Sequence, residues 1–426
     1  MDALNTPGRA YTDRTAALES SPWVSAYRAS PVDPAAELLI PVEGDVEHPL
    51  VTILVPAMNE ARTIVDFLRW CHEGAARVPG GVEILIADSS EDNTPELCLQ
   101  NGARVVRVPK RGLGRAYRDA LPFARGRYLI LGDADCTYDF REIDRFVLEL
   151  QQGKDFVMGS RYRGSIEPGA MPKLHQYLGI PVTTWLLNLV FSTKFSDIHC
   201  GMRALTREAF EAIDLQSDGW EYASEMLVKA TRLGLDIGEV PIDFYKDRNG
   251  RVSVHKRLGW LSPWLAAWSN IQAMMVHGGN KLARFAAWPL LVVGGILAGL
   301  LAIGPVSLFG LNLSLITQAV GVMLFVCGLT LLYGDWTFEL LYPYRPQFRQ
   351  RAWLLLDYDR VMGGVVALFF LGLGLVANYA FHVGGPAWIA HLALTGLLMM
   401  AVSVITFIFS LIGIVIREQV RNRRLG

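Results

Sequence analysis

The 426-residue chain has almost no net charge, with 40 Lys and Arg against 41 Asp and Glu, a formal balance of −1. No global basic field exists to hold nucleic acid, which is excluded as a partner, and there is no acidic tail. Cysteine is scarce: the five residues form no CxxC pair and no Cys/His ligand spacing. That excludes a zinc module and a disulfide framework and fits a reducing compartment. Residues 1–44 have no basic stretch followed by an apolar one, so no signal peptide is expected. Neither the Walker spacing nor a G-x-G-x-x-G is found.

Long apolar runs are present, and they are unevenly distributed. Charged and apolar residues interleave to about His277, and apolar runs take over from Phe285. Phe285 to Gly304, Leu311 to Tyr333, Val361 to His382 and Trp388 to Ile416 each suit the roughly 20 residues of a membrane-spanning helix. Lys281 and Arg284 precede the first run. Arg345, Arg349, Arg351 and Arg360 lie between the second and third, and Arg417, Arg421, Arg423 and Arg424 follow the fourth. The two other turns contain no Lys or Arg, so the soluble domain and both termini are expected on the cytoplasmic side of a cell or inner membrane. Trp260, Trp264 and Trp268 share a helical face beside Lys256 and Arg257, which predicts a stretch lying in the headgroup layer. The expected organisation is an N-terminal extension (1–48), an α/β domain (49–255) and an interfacial amphipathic region (256–284). A four-helix membrane domain (285–416), with a second interfacial segment near 335–358, and a basic tail (417–426) complete it.

Within residues 49–255, β-branched runs alternate with helical patterns. Strands are expected at Val51 to Val55, Val82 to Ala87, Arg104 to Val108, Tyr128 to Gly132 and Asp155 to Met158. The alternation predicts a mostly parallel sheet with helices on both faces. The first four strands each end in a polar or glycine-rich loop: Asn59-Glu60, Asp88 to Asp92, Lys110 to Gly114, and Asp133-Ala134-Asp135. Ligands of open α/β sheets bind outside the carboxyl ends of the strands, so these loops mark the candidate site.

Asp133 and Asp135 carry the sharpest chemistry. Two carboxylates at i and i+2 of an extended segment point the same way and can reach one Mg²⁺ or Mn²⁺, which commonly bridges protein carboxylates to phosphates. Asp88 to Asp92 can contact a base or ribose, or form a turn in which Asp92 or Asn93 caps the next helix. Lys110 and Gly112 open a helix, which suits either a diphosphate or a simple entry turn.

The segments VTILVPAMNE, IADSSEDNT, RGLG, GDADC, VMGSRYRG, SDIHCGMRAL, EYASEML and KDRNGRVSVHKR, in this order, resemble family 2 glycosyltransferases of the GT-A fold. The arrangement looks most like dolichyl-phosphate mannose synthase and related polyprenyl-phosphate glycosyltransferases. The resemblance implies that Pro56, Glu60 and Asp88 hold the nucleotide, with Asn59, Lys110, Gly112 and Ala134 on the donor side. It implies that Asp133 and Asp135 hold the metal and donor diphosphate, and that Arg161 lies between donor and acceptor phosphates. Arg248, Arg251 and Lys256 would form a basic loop over the diphosphate. Arg203 and Glu225 match recurrent positions or form a structural ion pair. Lys173 or His175 stands where an acceptor-side arginine is common, so both are acceptor candidates.

The expectation is an inverting, metal-dependent transfer of one sugar from a UDP- or GDP-sugar to a polyprenyl phosphate at the cytoplasmic membrane face. Rivals are a processive polysaccharide synthase, for which no Q-x-x-R-W motif is found, and transfer to a neutral lipid with Asp197 as base. A non-catalytic nucleotide-sugar scaffold is the remaining one. Whether the chain forms a homo-oligomer is left open by the sequence.

Overall fold

The computed structural model describes residues 33–247, 262–308, 310–341, 358–382 and 385–422, in two compact units, Met1–His277 and Gly278–Gly426. The first unit holds one eight-stranded sheet. Its strands are β1 (Glu37–Leu39), β2 (Val51–Ala57), β3 (Val82–Asp88), β4 (Arg104–Arg107), β5 (Tyr128–Leu131), β6 (Phe156–Ile166), β7 (Arg203–Thr206) and β8 (Ile237–Phe244). They lie in the order β1-β4-β3-β2-β5-β7-β6-β8.

β2, β3, β4 and β5 are mutually parallel, and β6 is parallel to β8. Successive residues of a strand face opposite sides, and both sides are apolar here. Ile53, Val55, Ile84, Ile86 and Ile130 pack towards α1 (Ile64–Ala75) and α4 (Ile143–Gln151). Leu54, Leu85, Leu129 and Leu131 pack towards α3 (Leu113–Ala120), α6 (Arg207–Ile213) and α7 (Tyr222–Leu233). Each such buried side chain contributes roughly 1.5–3 kcal/mol. The short α2 (Thr94–Gln100) follows β3, and α5 (Ile180–Phe191) lies between β6 and β7.

The structure departs from the expected elements in several places. Glu37–Leu39, inside the segment read as a loose extension, pairs antiparallel with β4. β7 runs antiparallel to both β5 and β6. β6 continues past Met158 to Ile166 through a register shift against β8 between Ser160 and Ser165. Asn59 takes φ +58°, and α1 starts only after Thr63.

In the second unit, Lys281–Leu300, Leu315–Leu340, Val361–Phe381 and Ala387–Ile416 are long and apolar enough to cross a membrane. They belong to α8 (Ser262–Leu300), α9 (Leu315–Leu341), α10 (Tyr358–Phe381) and α11 (Ala387–Asn422). The expected interfacial stretch from residue 262 onwards is continuous with the first of these helices, which runs on through Gly278-Gly279 and Pro289. Trp336 to Leu341 prolong α9, and residues 342–357 lie outside those described. β9 (Val306–Leu308), in the turn expected after the first span, pairs antiparallel with β10 (Leu311–Leu313), which takes the first three residues of the expected second span, so that span starts at Leu315. Polar groups clasp the helices: Gln318 meets His391 at 2.7 Å, and Arg284 Nε donates to Asp335 at 2.7 Å. Between α10 and α11, Gly372 and Gly396 leave no room for a Cβ against each other's carbonyl.

Candidate active site

The parallel strands deliver their loops to one rim, and hydrogen bonds knit the first two loops together. Asn59 N donates to Ser90 Oγ at 2.8 Å, and Glu91 N donates to Asn59 Oδ1 at 2.9 Å. Glu60 is buried, its N donating to Thr94 Oγ1 at 3.0 Å and its Oε2 accepting from Thr63 Oγ1 at 3.0 Å. Asp92 rather than Asn93 caps α2, accepting from Thr94 N at 3.1 Å and from Thr94 Oγ1 at 2.5 Å. Pro56 sits within β2, paired with Ala87.

Asp88 ends β3 with no exposed surface. It accepts from Ser90 Oγ at 2.6 Å and is ion-paired with Arg107 of β4. Burial raises its carboxyl above the ordinary value, against the pull of Ser90 and Arg107. Its observed work is therefore to anchor the rim. Arg107 was not singled out by sequence reasoning, and only its position three residues before Lys110 could have drawn attention to it. Arg107 also donates to Ser90 O at 2.9 Å.

The glycines of the Arg111 to Gly114 turn have a packing reason. A Cβ on Gly112, which has φ +116°, would overlap the Asp218 carbonyl, and one on Gly114 would overlap that of Ser217. Arg111 is ion-paired with Asp33 and Asp119, and Lys110 is exposed. The entry-turn reading accounts for this segment as it stands.

After β5 the chain places Asp133 half-buried, with Ala134 and Asp135 buried. The segment does not stay extended, as the i, i+2 argument supposed. It turns at Ala134-Asp135, where Asp135 Oδ1 accepts from Thr137 N at 3.0 Å and Thr137 Oγ1 at 2.6 Å, and Cys136 takes φ +60°. Asp133 lies against Gly201, where a Cβ would come within 3.0 Å of its Oδ2. Three buried tyrosines surround it. Burial pushes the phenols of Tyr117, Tyr138 and Tyr222 up, Tyr222 to about 12, and the Asp133 charge adds to the rise in each. Tyr117 donates to Gly132 O at 2.9 Å, and Gly201 N donates to Tyr138 Oη at 2.9 Å. The sequence carried no local sign of these neighbours. Among the described residues no group of three His, Cys, Asp or Glu could hold a metal. The hard oxygens of two carboxylates nonetheless fit Mg²⁺ or Mn²⁺ when phosphate and water complete the shell.

Arg161 of β6 and Asp197, both expected on the acceptor side from the sequence, are buried. Arg161 Nε donates to Asp197 Oδ2 at 2.6 Å and its Nη2 to Oδ1 at 2.8 Å, a bidentate pair. Burial alone would raise the Asp197 carboxyl, but the Arg161 charge and hydrogen bonds outweigh it and hold the group below the ordinary carboxylate range. A carboxylate so committed is poorly suited to act as a base. Arg203 is fully buried, donating to the carbonyls of Cys200, Ala223 and Ile198, so it braces the core instead of facing an acceptor. Glu225 accepts from Gln216 N at 2.8 Å and Ser217 N at 2.7 Å, and pairs with Lys229. Lys173 is exposed and His175 half-buried on the segment before α5. Arg248, Arg251 and Lys256 lie outside the described residues.

Beside the pair, His199 Nε2 meets Thr183 Oγ1 at 2.9 Å. Burial and the Arg161 charge lower its imidazole to about 4. Such a group binds protons more readily when unfolded. Its contribution is thus complete above its ordinary 6.5 and is lost as pH falls towards 4. We expect the wild-type domain to lose on the order of 1–2 kcal/mol more than a His199→Asn variant across that window, as read by thermal melts at stepped pH.

Residues 52–214 match the profile of the family described as Glycosyl transferase family 2. The low-salt glycan biosynthesis hexosyltransferase Agl6 of Haloferax volcanii is 33% identical over 358 residues, covering 82% of this chain and 84% of its own. A dolichyl-phosphate hexose transferase of the same organism is 29% identical over 175 residues, 41% of this chain and 75% of its own. Glucosyl-3-phosphoglycerate synthase of Mycobacterium tuberculosis, solved with phosphoglyceric acid, aligns over 54% of this chain and 80% of its own, with 23% identity and a TM-score of 0.41. By the extent of its match to the first of these relatives, and by the family profile across the sheet that carries the rim, the chain belongs to glycosyl transferase family 2.

Proposed function

We propose that the protein transfers one sugar from a nucleotide-sugar to a polyprenyl phosphate at the cytoplasmic membrane face, with inversion and with a divalent metal. The observation that carries the reading is the conjunction of Asp133 and Asp135 after β5, the buried Arg161–Asp197 pair, and four helices apolar enough to cross a bilayer. The similarity to a dolichyl-phosphate hexose transferase supports a lipid-phosphate acceptor.

Asp133 and Asp135 would hold Mg²⁺ or Mn²⁺, which when bound neutralises charge on the departing nucleoside diphosphate. Pro56, Asn59, Glu60, Asp88, Lys110, Gly112 and Ala134 are assigned to the donor side, with Arg248 and Arg251 over the diphosphate. Lys173 and His175 are assigned to the acceptor. A phosphate monoester with a second pKa of about 6 is already a dianion near neutral pH, so the attacking oxygen needs no strong base. Asp197 then serves to fix the Arg161 guanidinium, whose Nη1 we assign to the acceptor phosphate. A neutral lipid acceptor would demand a base, and Asp197 is held ionised by Arg161.

The test is incubation of the purified full chain with a panel of UDP- and GDP-sugars and undecaprenyl or decaprenyl phosphate, with and without chelator, followed by weighing the lipid. One added hexose, lost on chelation, is expected. A polymer, or transfer only to a neutral lipid, would overturn the reading.

A further inference from the structure

The segment that leads away from Arg161 carries an apolar face left exposed among the described residues. One π-helical turn, His175–Gly179, runs into α5. The inner side, Ile180, Thr184, Leu187 and Phe191, is buried against the domain. On the outer side Leu174, Tyr177, Leu178, Val182, Trp185 and Leu189 are exposed, Tyr177 at 72% and Trp185 at 63%. These are six of the twelve exposed large apolar side chains between residues 33 and 247; the other six are scattered. At helical spacing the six fall within one arc of roughly 140°. A continuous face of this kind on a soluble domain marks a surface that something else covers.

Charge identifies the cover. The chain has 41 acidic residues, yet from Pro168 to Ser196 there is not one Asp or Glu. The charges of that stretch are Lys173 and Lys194, both exposed, one at each end of the helix. Apolar residues with Trp and Tyr, bracketed by lysines and free of acid, match the anionic headgroup layer above acyl chains. The same chain carries four helices able to cross a bilayer, so a membrane is within reach of the domain.

We propose that the outer face of residues 174–189 lies in the boundary between headgroups and acyl chains of the membrane. Two hydrogen bonds tie that helix to the Arg161 pair. Tyr162, next to Arg161, donates from its hydroxyl to Gln176 O at 2.5 Å. Thr183 Oγ1 meets His199, whose N donates to Asp197 Oδ1 at 3.3 Å. Seating the helix in lipid therefore sets the depth of Arg161 relative to the headgroups. The proposal does not depend on which sugar or acceptor is used.

The test uses the full chain in vesicles of phosphatidylcholine and phosphatidylglycerol. A photoactivatable benzophenone amino acid replaces Trp185, Tyr177 or, as a control, Leu148, an exposed residue of α4. Both aromatic positions receive an aromatic replacement, so each is an independent readout should the other disturb folding. Irradiation is expected to give lipid adducts at 185 and 177 at about ten times the yield at 148, by mass spectrometry. Adducts no more abundant than at 148, or crosslinks to a second copy of the chain instead of lipid, would overturn the proposal. Because crosslinking needs no turnover, it can succeed or fail separately from the transfer assay.

Discussion

On the proposed assignment, Asp133→Ala and Asp135→Asn are each expected to lower transfer to a lipid phosphate by about three orders of magnitude or more, because each would remove one of the two hard anionic ligands of the metal. The asymmetric choice of replacements follows from the turn. Asp135 Oδ1 holds Thr137 N and Oγ1, so alanine there would lose a turn as well as a charge. Asparagine keeps the side-chain oxygen and removes the charge. Asp133 is half-buried, so alanine there opens the position to solvent. Sugar transfer is followed with a radiolabelled donor, and unfolding of the same preparations by circular dichroism. Near-normal transfer in both variants, with the fold intact, would refute the assignment of the metal.

Asp197→Ala has the largest expected effect on stability. It leaves the Arg161 guanidinium buried without its bidentate partner, which costs about 3–5 kcal/mol. For a domain of this size that lowers the melting temperature by roughly 6–20 °C. Replacing both members with apolar residues, Arg161→Met with Asp197→Leu, should recover most of the loss, since the pair's own desolvation cost disappears with it. Transfer should stay abolished in the double variant. If the double variant regains activity along with stability, Arg161 is a core residue and not part of the acceptor site.

The rim was legible because strand runs are short, apolar and β-branched, and each stops where polar residues begin. Val51 to Val55 and Val82 to Ala87 show that pattern and lie within two residues of the observed strand ends. The pairing of Arg161 with Asp197 was not legible, since the two are separated by 36 residues and joined only by the fold. β7 was missed because Arg203–Thr206 is four residues long, with polar residues at both ends. The Gly112 and Gly114 turn illustrates a third limit. Glycine is demanded equally by a phosphate and by a carbonyl in van der Waals contact, and only coordinates separate the two. Arg203 shows a similar limit: the resemblance marked it as a recurrent position or half of a structural ion pair, and its donors go instead to the carbonyls of Cys200 and Ile198 in the core.

The three residues of β1 do more than lengthen the sheet. Without them β4 would present a bare row of amides and carbonyls at the border of a parallel array, open to pairing with any extended segment nearby. Leu38 against Val106 occupies that border from within the same polypeptide. Such a short selvedge costs little to order, and it keeps proteins crowded on a two-dimensional surface from stitching their sheets together.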